Sequence, residues 1–307
     1  YKTYTENQLF SPEISTTTGY SKLYVNAGKV TNKGIELALG FKQNIGPVDW
    51  KTTLLWSLNR NRIDQLLPEY TNEELGVTVH LDEMDVYSLG GAKQRLTVGG
   101  SMGDVYVNTM RTDEHGYIWM NSMTGALETD KNNYVYAGNT NPKYTLSWRN
   151  EFNWKGISLG FMLNARVGGI GVSATQAVMD YYGVSKTSAE ARDNGGVKVN
   201  GQMIDAQTWY QTIGANGTGY VGSMYVYSMT NVRLGELTLG YDIPINKWGK
   251  WISGLNVSFV GRNLWMLYCK APFDPESTAS TGTYNQGMDY FMQPSLRSMG
   301  FSAKISF

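Results

Sequence analysis

The stretch Tyr144-Thr145-Leu146-Ser147-Trp148-Arg149-Asn150-Glu151-Phe152-Asn153-Trp154, followed by Lys155-Gly156 and then Ile157 to Val167, decides the fold of this 307-residue chain. Every second residue from Tyr144 gives Tyr, Leu, Trp, Asn, Phe, Trp, which is apolar apart from Asn150. The alternate positions, from Lys143, read Lys, Thr, Ser, Arg, Glu, Asn. After Lys155-Gly156 the pattern resumes, with Ile157, Leu159, Phe161, Leu163, Ala165 and Val167 set against Ser158, Gly160, Met162, Asn164 and Arg166. A period of two across both segments, joined by a two-residue turn, predicts an antiparallel β-hairpin with one apolar and one hydrophilic face. A soluble barrel or sandwich would hide the apolar face inside. A membrane barrel would turn it to lipid and keep the hydrophilic face around a lumen.

The same alternation recurs outward from the hairpin. Ile35, Leu37, Leu39 and Phe41 alternate with Glu36, Ala38, Gly40 and Lys42, and Ile45-Gly46-Pro47-Val48 supplies a tight turn. Trp50, Thr52, Leu54, Trp56 and Leu58 return along one face, with Leu55 the exception on the other. Strands are also expected at Tyr1 to Phe10, at Asn231 to Tyr241 (less cleanly), from Leu255 to Tyr268, and at the end, where Met299, Phe301, Ala303, Ile305 and Phe307 share a face. Ser11 to Val30 reads as a loop, and Ala271 to Ser295 as a long one. Between Leu67 and Thr140 only short β-like pieces stand out: Arg95 to Val98, Asp104 to Met110 and Tyr117 to Met120. Within Gly169 to Ser228, Ser173 to Tyr182 has helical composition and Asp193 to Gly201 is turn-rich.

Composition narrows the class. Formal net charge is zero, so there is no electrostatic case for nucleic acid. With 35 Gly and 21 Tyr against 8 Pro, the chain suits a β-protein with many bends and interfacial aromatics. The single cysteine, Cys269, matches no metal spacing and reads as a small packing residue. No apolar run approaches the roughly 18 residues of a membrane helix. The chain opens on Tyr1 in strand-like sequence, which leads us to expect a piece of a longer or processed polypeptide.

Three features favour a transmembrane antiparallel β-barrel. Connections alternate: brief turns after Asn44, Trp154 and Tyr241, long loops after Phe10, Leu67, Gly168 and Lys270. The apolar faces carry no charge, as expected where a Lys or Arg at the lipid midplane costs roughly 2–4 kcal/mol. Aromatics gather at the short-turn ends: Phe41 with Trp50, Phe152 with Trp154, Tyr241 with Trp248 and Trp251, and Phe307. About eight strands are expected. Closed on themselves they would strand Lys143, Arg149, Glu151, Arg166, Arg262 and Lys304 unpaired inside, so these six are expected to line the lumen of a wider barrel.

Asn32-Lys33-Gly34-Ile35-Glu36, Asn141-Pro142-Lys143-Tyr144, Leu239-Gly240-Tyr241-Asp242-Ile243-Pro244, Gly261-Arg262-Asn263-Leu264-Trp265, Phe273-Asp274-Pro275-Glu276 and the closing Lys304-Ile305-Ser306-Phe307 occur in this order along the chain. Together they resemble the C-terminal part of SusC/RagA-type TonB-dependent transporters of Bacteroidetes outer membranes. The resemblance implies that residues 1–307 form one part of one barrel domain, the last strands of a roughly 22-stranded barrel. It also implies a plug and further strands outside this chain, energy from TonB acting through that absent portion, and a SusD-like surface lipoprotein closing over the mouth. The cargo would be a glycan or oligopeptide. Phe307 would be the terminal aromatic read by the barrel-assembly machinery, besides being a girdle residue.

Other motifs carry less. Gly156-Ile157-Ser158-Leu159-Gly160 matches G-x-S-x-G but sits in an alternating strand, not at a strand-to-helix turn, so an enzyme is not expected. Gly99 to Gly103 lacks the Lys of a phosphate loop. His80 and His115, with nearby carboxylates, read as solvated loop residues, and no cofactor or metal is called for. Loop aromatics are more informative: rings with polar handles can stack on sugars and hydrogen-bond peptides, although loop packing is their ordinary use. Tyr117, Trp119, Tyr134 and Tyr136 frame the most elaborate loop and are the candidate substrate contacts. Active import is the leading expectation; a passive porin-like channel and a surface-exposed binding or adhesion β-protein are the alternatives.

Overall fold

The computed structural model describes residues 1–10, 24–73, 76–121, 123–217, 219–244, 252–277 and 286–306. In chain order, β1 (Lys2–Phe10), β2 (Val25–Ile45) and β3 (Val48–Gln65) lead into β4 (Leu67–Asn72), β5 (Val77–Leu81), β6 (Glu83–Leu89), β7 (Ala92–Thr97), β8 (Asp104–Met110) and β9 (Thr129–Asn139). The deciding hairpin is β10 (Tyr144–Trp154) and β11 (Ile157–Val167). Then come β12 (Ile170–Ser173), α1 (Ala174–Tyr181), α2 (Lys186–Asp193), β13 (Val197–Val199), β14 (Gln202–Ile204), α3 (Ala206–Gly214) and β15 (Val226–Ser228). The chain finishes with β16 (Asn231–Ile243), β17 (Gly254–Cys269), β18 (Met288–Asp289) and β19 (Ser298–Ser306).

Eight of these strands form one antiparallel sheet in the order β1-β2-β3-β10-β11-β16-β17-β19. The hairpin pairs from Tyr144↔Val167 to Trp154↔Ile157, as its alternation predicts. Its turn residues Lys155 (φ 48°) and Gly156 (φ 88°) both adopt the left-handed backbone that a twisted two-residue hairpin needs. Registers align the apolar positions into continuous rows: Leu39 pairs with Leu54, Leu54 with Trp148, Trp148 with Leu163 and Leu163 with Leu234. No second layer covers this side among the described residues: Leu39 is 53% exposed, Leu239 52% and Phe301 85%. The sheet is therefore a wall whose oily face points away from the rest of the molecule. Two indoles on that face find acceptors there: Trp50 donates to Asn150 Oδ1 (3.1 Å) and Trp148 to Thr52 Oγ1 (2.9 Å). Among the described residues β1 and β19 do not pair, so both edges of the sheet are open.

The long connections fold together into a cap with its own buried core. Val105, Val107, Val172, Trp209, Ile213, Tyr220, Val221 and Tyr225 meet there, drawn from β8, β12, α3 and the segment before β15. A second cluster, around Val30, Ile63, Leu66, Leu67 and Leu96, joins the tops of β2 and β3 to the cap. The first and second connections touch backbone to backbone at Gly91 and Gly222. A Cβ on Gly222 would lie 2.2 Å from the Gly91 carbonyl oxygen, and the Gly222 N–H donates to Asn108 Oδ1 (2.7 Å).

Three expectations need correction. Residues 25–30 are strand, not loop: β2 runs on beyond the apolar stripe and is held there by β1, with Val25 opposite Phe10 and Val30 opposite Thr5. The stretch from Leu67 to Thr140 is not a set of isolated pieces but a β4-β5 pair and a four-stranded sheet, β6-β7-β8-β9, whose short strands and bulges dilute the alternation. Tyr117 to Met120 makes only two isolated bridges, Thr112↔Ile118 and Met120↔Leu127. By contrast α1 starts on Ser173, whose side chain accepts from the Gln176 N–H, and ends at Tyr182, as the helical composition predicts. Residues 11–23 of the expected loop Ser11 to Val30, residues 245–249 of the expected turn Asp242 to Gly249, and Trp248, Trp251 and Phe307 lie outside the described residues.

Candidate substrate-binding site

The four-stranded sheet of the cap is two-faced. Ala92, Gln94 and Leu96 of β7 are buried, while Lys93, Arg95 and Thr97 point the other way. Asp85 of β6 sits between the two cations, 2.9 Å from Lys93 Nζ and 2.6 Å from Arg95 Nε. Burial acts to raise the Asp85 carboxyl, but the Arg95 and Lys93 hydrogen bonds outweigh it and hold the group below the usual carboxylate range. Each cation also covers a ring: Lys93 Nζ lies 3.9 Å from the Tyr134 centroid and the Arg95 guanidinium 5.2 Å from that of Tyr106. Tyr106 meets Tyr136 edge-on at 5.6 Å. The Tyr136 hydroxyl donates to Asp104 Oδ1 (3.4 Å), and burial followed by the Asp104 charge raises this phenol above its ordinary value.

Tyr136 reaches a polar cleft of about 490 Å³ between cap and wall. The cleft opens where β3 runs on past Ser57↔Thr145, the last pair it makes with β10. Asn59, Asn61, Asp104, Asn139 and Lys143 line it with Tyr136. Asp104 is already engaged, accepting from the Ser101 N–H (2.7 Å) and Asn139 Nδ2 (2.7 Å), so the cleft offers amides, a hydroxyl and an ammonium more than an open carboxylate.

Below the cleft the hydrophilic face of the wall carries a ladder of alternating charge. Lys51 stands 3.7 Å from Glu151, which accepts a hydrogen bond from Arg149 Nε at 2.7 Å. Arg149 in turn reaches Glu236 at 4.0 Å, and Glu236 reaches Arg262 at 3.6 Å. Three of the six expected lumen residues, Arg149, Glu151 and Arg262, are thus paired with one another through Lys51 and Glu236. Lys143 lines the cleft and Lys304 is exposed on the β19 edge. Arg166 is not on open wall: it is tucked under the cap, where its NH2 donates to the Thr140 carbonyl (2.7 Å).

The remaining aromatic candidates separate. Tyr134 lies on the cation-bearing face with Tyr136. Trp119 stands apart on the 111–128 excursion, stacked on Arg111 at 4.6 Å. Tyr117 is exposed in the turn that Asp113 Oδ1 closes by accepting from its N–H (2.9 Å). Asn200 pins that excursion through both backbone groups of Ile118. Trp209, Tyr220 and Tyr225 are core residues, and burial followed by the Asp180 charge pushes neighbouring Tyr227 up to about 12. The sequence reading missed Lys51, Asp85, Lys93 and Glu236. The alternation Ala92-Lys93-Gln94-Arg95-Leu96 held the signal for Lys93, while a bulge beside Glu236 blurs its strand.

The Phe273-Asp274-Pro275-Glu276 motif proves to be a clamp. Asp274 and Glu276 grip Arg233 of β16 at 3.0 and 3.2 Å, with Arg233 and Asp274 side chains only 5% and 9% exposed. Burial acts to raise Asp274, but hydrogen bonds from the Ser295 hydroxyl and the Glu276 and Ser295 N–H groups, with the Arg233 charge, hold it below the usual carboxylate range. Asn61, Arg166 and Arg233, the wall residues that anchor the cap, all lie on the hydrophilic side of their strands. Among the described residues no group of three His, Cys, Asp or Glu side chains converges as a metal site would require.

No family model matches the chain. Two curated relatives from Formosa agariphila do: TonB-dependent receptor P3, 23% identical over 337 aligned positions, and TonB-dependent receptor P26, 23% identical over 329. They match 100% and 99% of this chain, which spans 32% of the length of each. Among solved structures, the RagAB peptide transporter superposes with TM-score 0.66 at 16% identity over 98% of the chain. The RagAB peptide importer in its open-open state gives 0.68 at 15% over 100%, and in each case 32% of the solved chain is covered. Likeness along its whole length to a third of these proteins, in sequence to the receptors and in fold to the RagAB chains, fits a C-terminal portion of a SusC/RagA-type TonB-dependent transporter.

Proposed function

We propose that this chain forms part of the wall and mouth of an outer-membrane importer that takes up a bulky nutrient, a glycan or oligopeptide, with energy from TonB. The observation that carries the reading is the arrangement of faces. The oily side of the wall is uncovered, and the cap docks only on the hydrophilic side, placing the tyrosine-lined cleft over the charge ladder. Such a site binds and guides cargo. Tyr134 and Tyr136 hold cargo at the mouth, Tyr117 and Trp119 extend the contact along the neighbouring excursion, and Lys143, Arg149, Glu151, Arg166, Arg262 and Lys304 set the polarity of the path or its rim. A SusD-like lipoprotein covers the cap, the plug and further strands belong to the remainder of the transporter, and Phe307 serves barrel assembly.

Uptake of labelled oligopeptides and oligosaccharides by cells expressing the full-length transporter, with and without TonB, tests this. TonB-dependent uptake of one class is expected. Replacing Tyr134 and Tyr136 by Ala should raise the half-saturating concentration roughly 2- to 10-fold, as expected for lost aromatic contacts. TonB-independent flux proportional to concentration would instead indicate a passive channel.

A further inference from the structure

A second cavity, of about 660 Å³, lies on the other side of the same strands and shares only Arg60 with the first cleft. Lys2, Lys29, Lys33, Arg60 and Arg62 line it. Their position follows from register. Ile35 pairs with Leu58, and two residues on, Lys33 pairs with Arg60 and Lys2; Thr31 then pairs with Arg62 and Tyr4. Side chains two apart share a face of a strand. The cations therefore continue the outward stripe Ile35, Leu37, Leu39, Phe41 past its end. On the opposite side of these strands Val30 and Ile63 are buried beneath the cap. Ile35 to Ile45 is roughly 33 Å of strand, which at a tilt of about 40° spans roughly 25 Å, the height of a barrel's apolar band. The cations begin where that band stops, at the long-connection end.

The charge is not self-neutralised. Glu6 pairs with Lys29 at 2.6 Å, and Asp64 with Arg62 at 3.8 Å while also accepting from the Thr31 hydroxyl. Among the described residues no carboxylate pairs with Lys2, Lys33 or Arg60. Arg60 is held by its donation to the Lys143 carbonyl (3.0 Å). At the short-turn end the outward face is instead uncharged and aromatic, with Phe41, Trp50 and Phe152 in ring contact. The two ends of the oily band thus meet different chemistry.

We infer that Lys2, Lys33, Arg60 and Arg62 form an outward-facing site for the phosphoryl groups of a lipid headgroup in the leaflet on the long-connection side. Guanidinium and ammonium donors suit phosphate oxygens, and a partly enclosed cationic notch at headgroup depth strengthens the contact. This inference rests on the apolar side facing lipid. The test uses the full-length transporter in nanodiscs containing phosphorylated lipid A or its dephosphorylated form, comparing wild type with K33Q/R60Q/R62Q and, as a control, the lumen-side variant K51Q/R262Q. Wild type and control should retain phosphorylated lipid A preferentially. The triple variant should retain it roughly a hundredfold less, because each cation near an anionic surface contributes about fivefold. Undiminished retention by the triple variant, or full displacement of the lipid by inorganic phosphate alone, would overturn the site. A probe at Leu39→Cys in a C269S background, quenched by bromine-labelled acyl chains, separates the two failures. Quenching with unchanged retention sinks the headgroup site alone, whereas absence of quenching sinks the lipid-facing wall and the site with it.

Discussion

Wall and cap are built from the same chain on opposite rules. In the wall Leu39, Leu239 and Phe301 stand exposed in aligned rows while Glu151, Arg149, Glu236 and Arg262 pair across the other face. In the cap Val172, Tyr220 and Val221 are fully buried, and the buried Asp104, Asp180 and Asp289 sit among polar partners inside it. A single hydrophobic-inside rule cannot describe both. On the proposed reading the wall's surroundings are themselves apolar, whereas the cap makes its own interior in water. It also divides the consequences of mutation: truncation should damage the cap, and charge should damage the outward side of the wall.

The largest effect is expected where the two regions are clamped. Asp274→Ala leaves Arg233 buried without its main partner and should cost roughly 3–5 kcal/mol of local stability, read as protease cleavage within 270–297 with the wall intact. Asp274 is depressed in the folded state, so its contribution is complete above the ordinary carboxylate value of about 4 and is lost as pH falls through the lower folded value. Wild type should therefore keep the segment protected at mildly acidic pH and release it only in stronger acid. Within the cap, Tyr220→Ala empties a core site and orphans the Leu89 carbonyl that its hydroxyl reaches at 2.6 Å. The cost should again be roughly 3–5 kcal/mol, measured by hydrogen exchange of β8 and the residues around Gly222.

The wall should respond to charge instead. Leu39→Arg should cost roughly 2–4 kcal/mol in bilayer refolding titrations, and Ala38→Arg, one residue along on the hydrophilic face, close to nothing. Equal costs at both positions would erase the distinction between faces. Gly222→Ala should cost roughly 1–3 kcal/mol by forcing the two connections apart, detected as a lower melting temperature of the cap. The smallest effect belongs to the ladder. Lys51→Gln removes an exposed pair worth roughly 0–1 kcal/mol, so stability should hold while the ion selectivity of the open path shifts.

Much of the wall was legible because a sheet with one oily side writes its register into the sequence. The alternation in 144–167 aligns that hairpin residue by residue, and the long β2-β3 pair nearly so. The top of β2 was not legible: from Val25 to Lys33 the outward side turns cationic and polar, so the alternation that marks strand disappears although the pairing continues. The cap was legible at α1, where Ser173 caps a helical run, at β8, whose bounds match the expected piece Asp104 to Met110, and in part at β7. Its strands are short, bulged and buried on one face by residues distant in sequence, so Tyr220 meets Leu89 without any local sign. The candidate site shows the same split. Tyr134 and Tyr136 stood out as aromatics in a long connection, but the cations that orient Tyr134 and Tyr106 required the β6-β7 pairing to be known.

A cysteine scan from Tyr144 to Trp154 in the full-length protein, with Cys269→Ser removing the native thiol, tests the orientation of the wall most directly. Each position would be challenged in intact membranes with a water-soluble maleimide and with a bilayer-confined one. The account predicts strict alternation, with Leu146, Trp148 and Phe152 positions modified only from the bilayer and Ser147, Arg149 and Glu151 positions only from water. Protection of Leu146, Trp148 and Phe152 from both reagents would place the oily face in a sealed interior and contradict it.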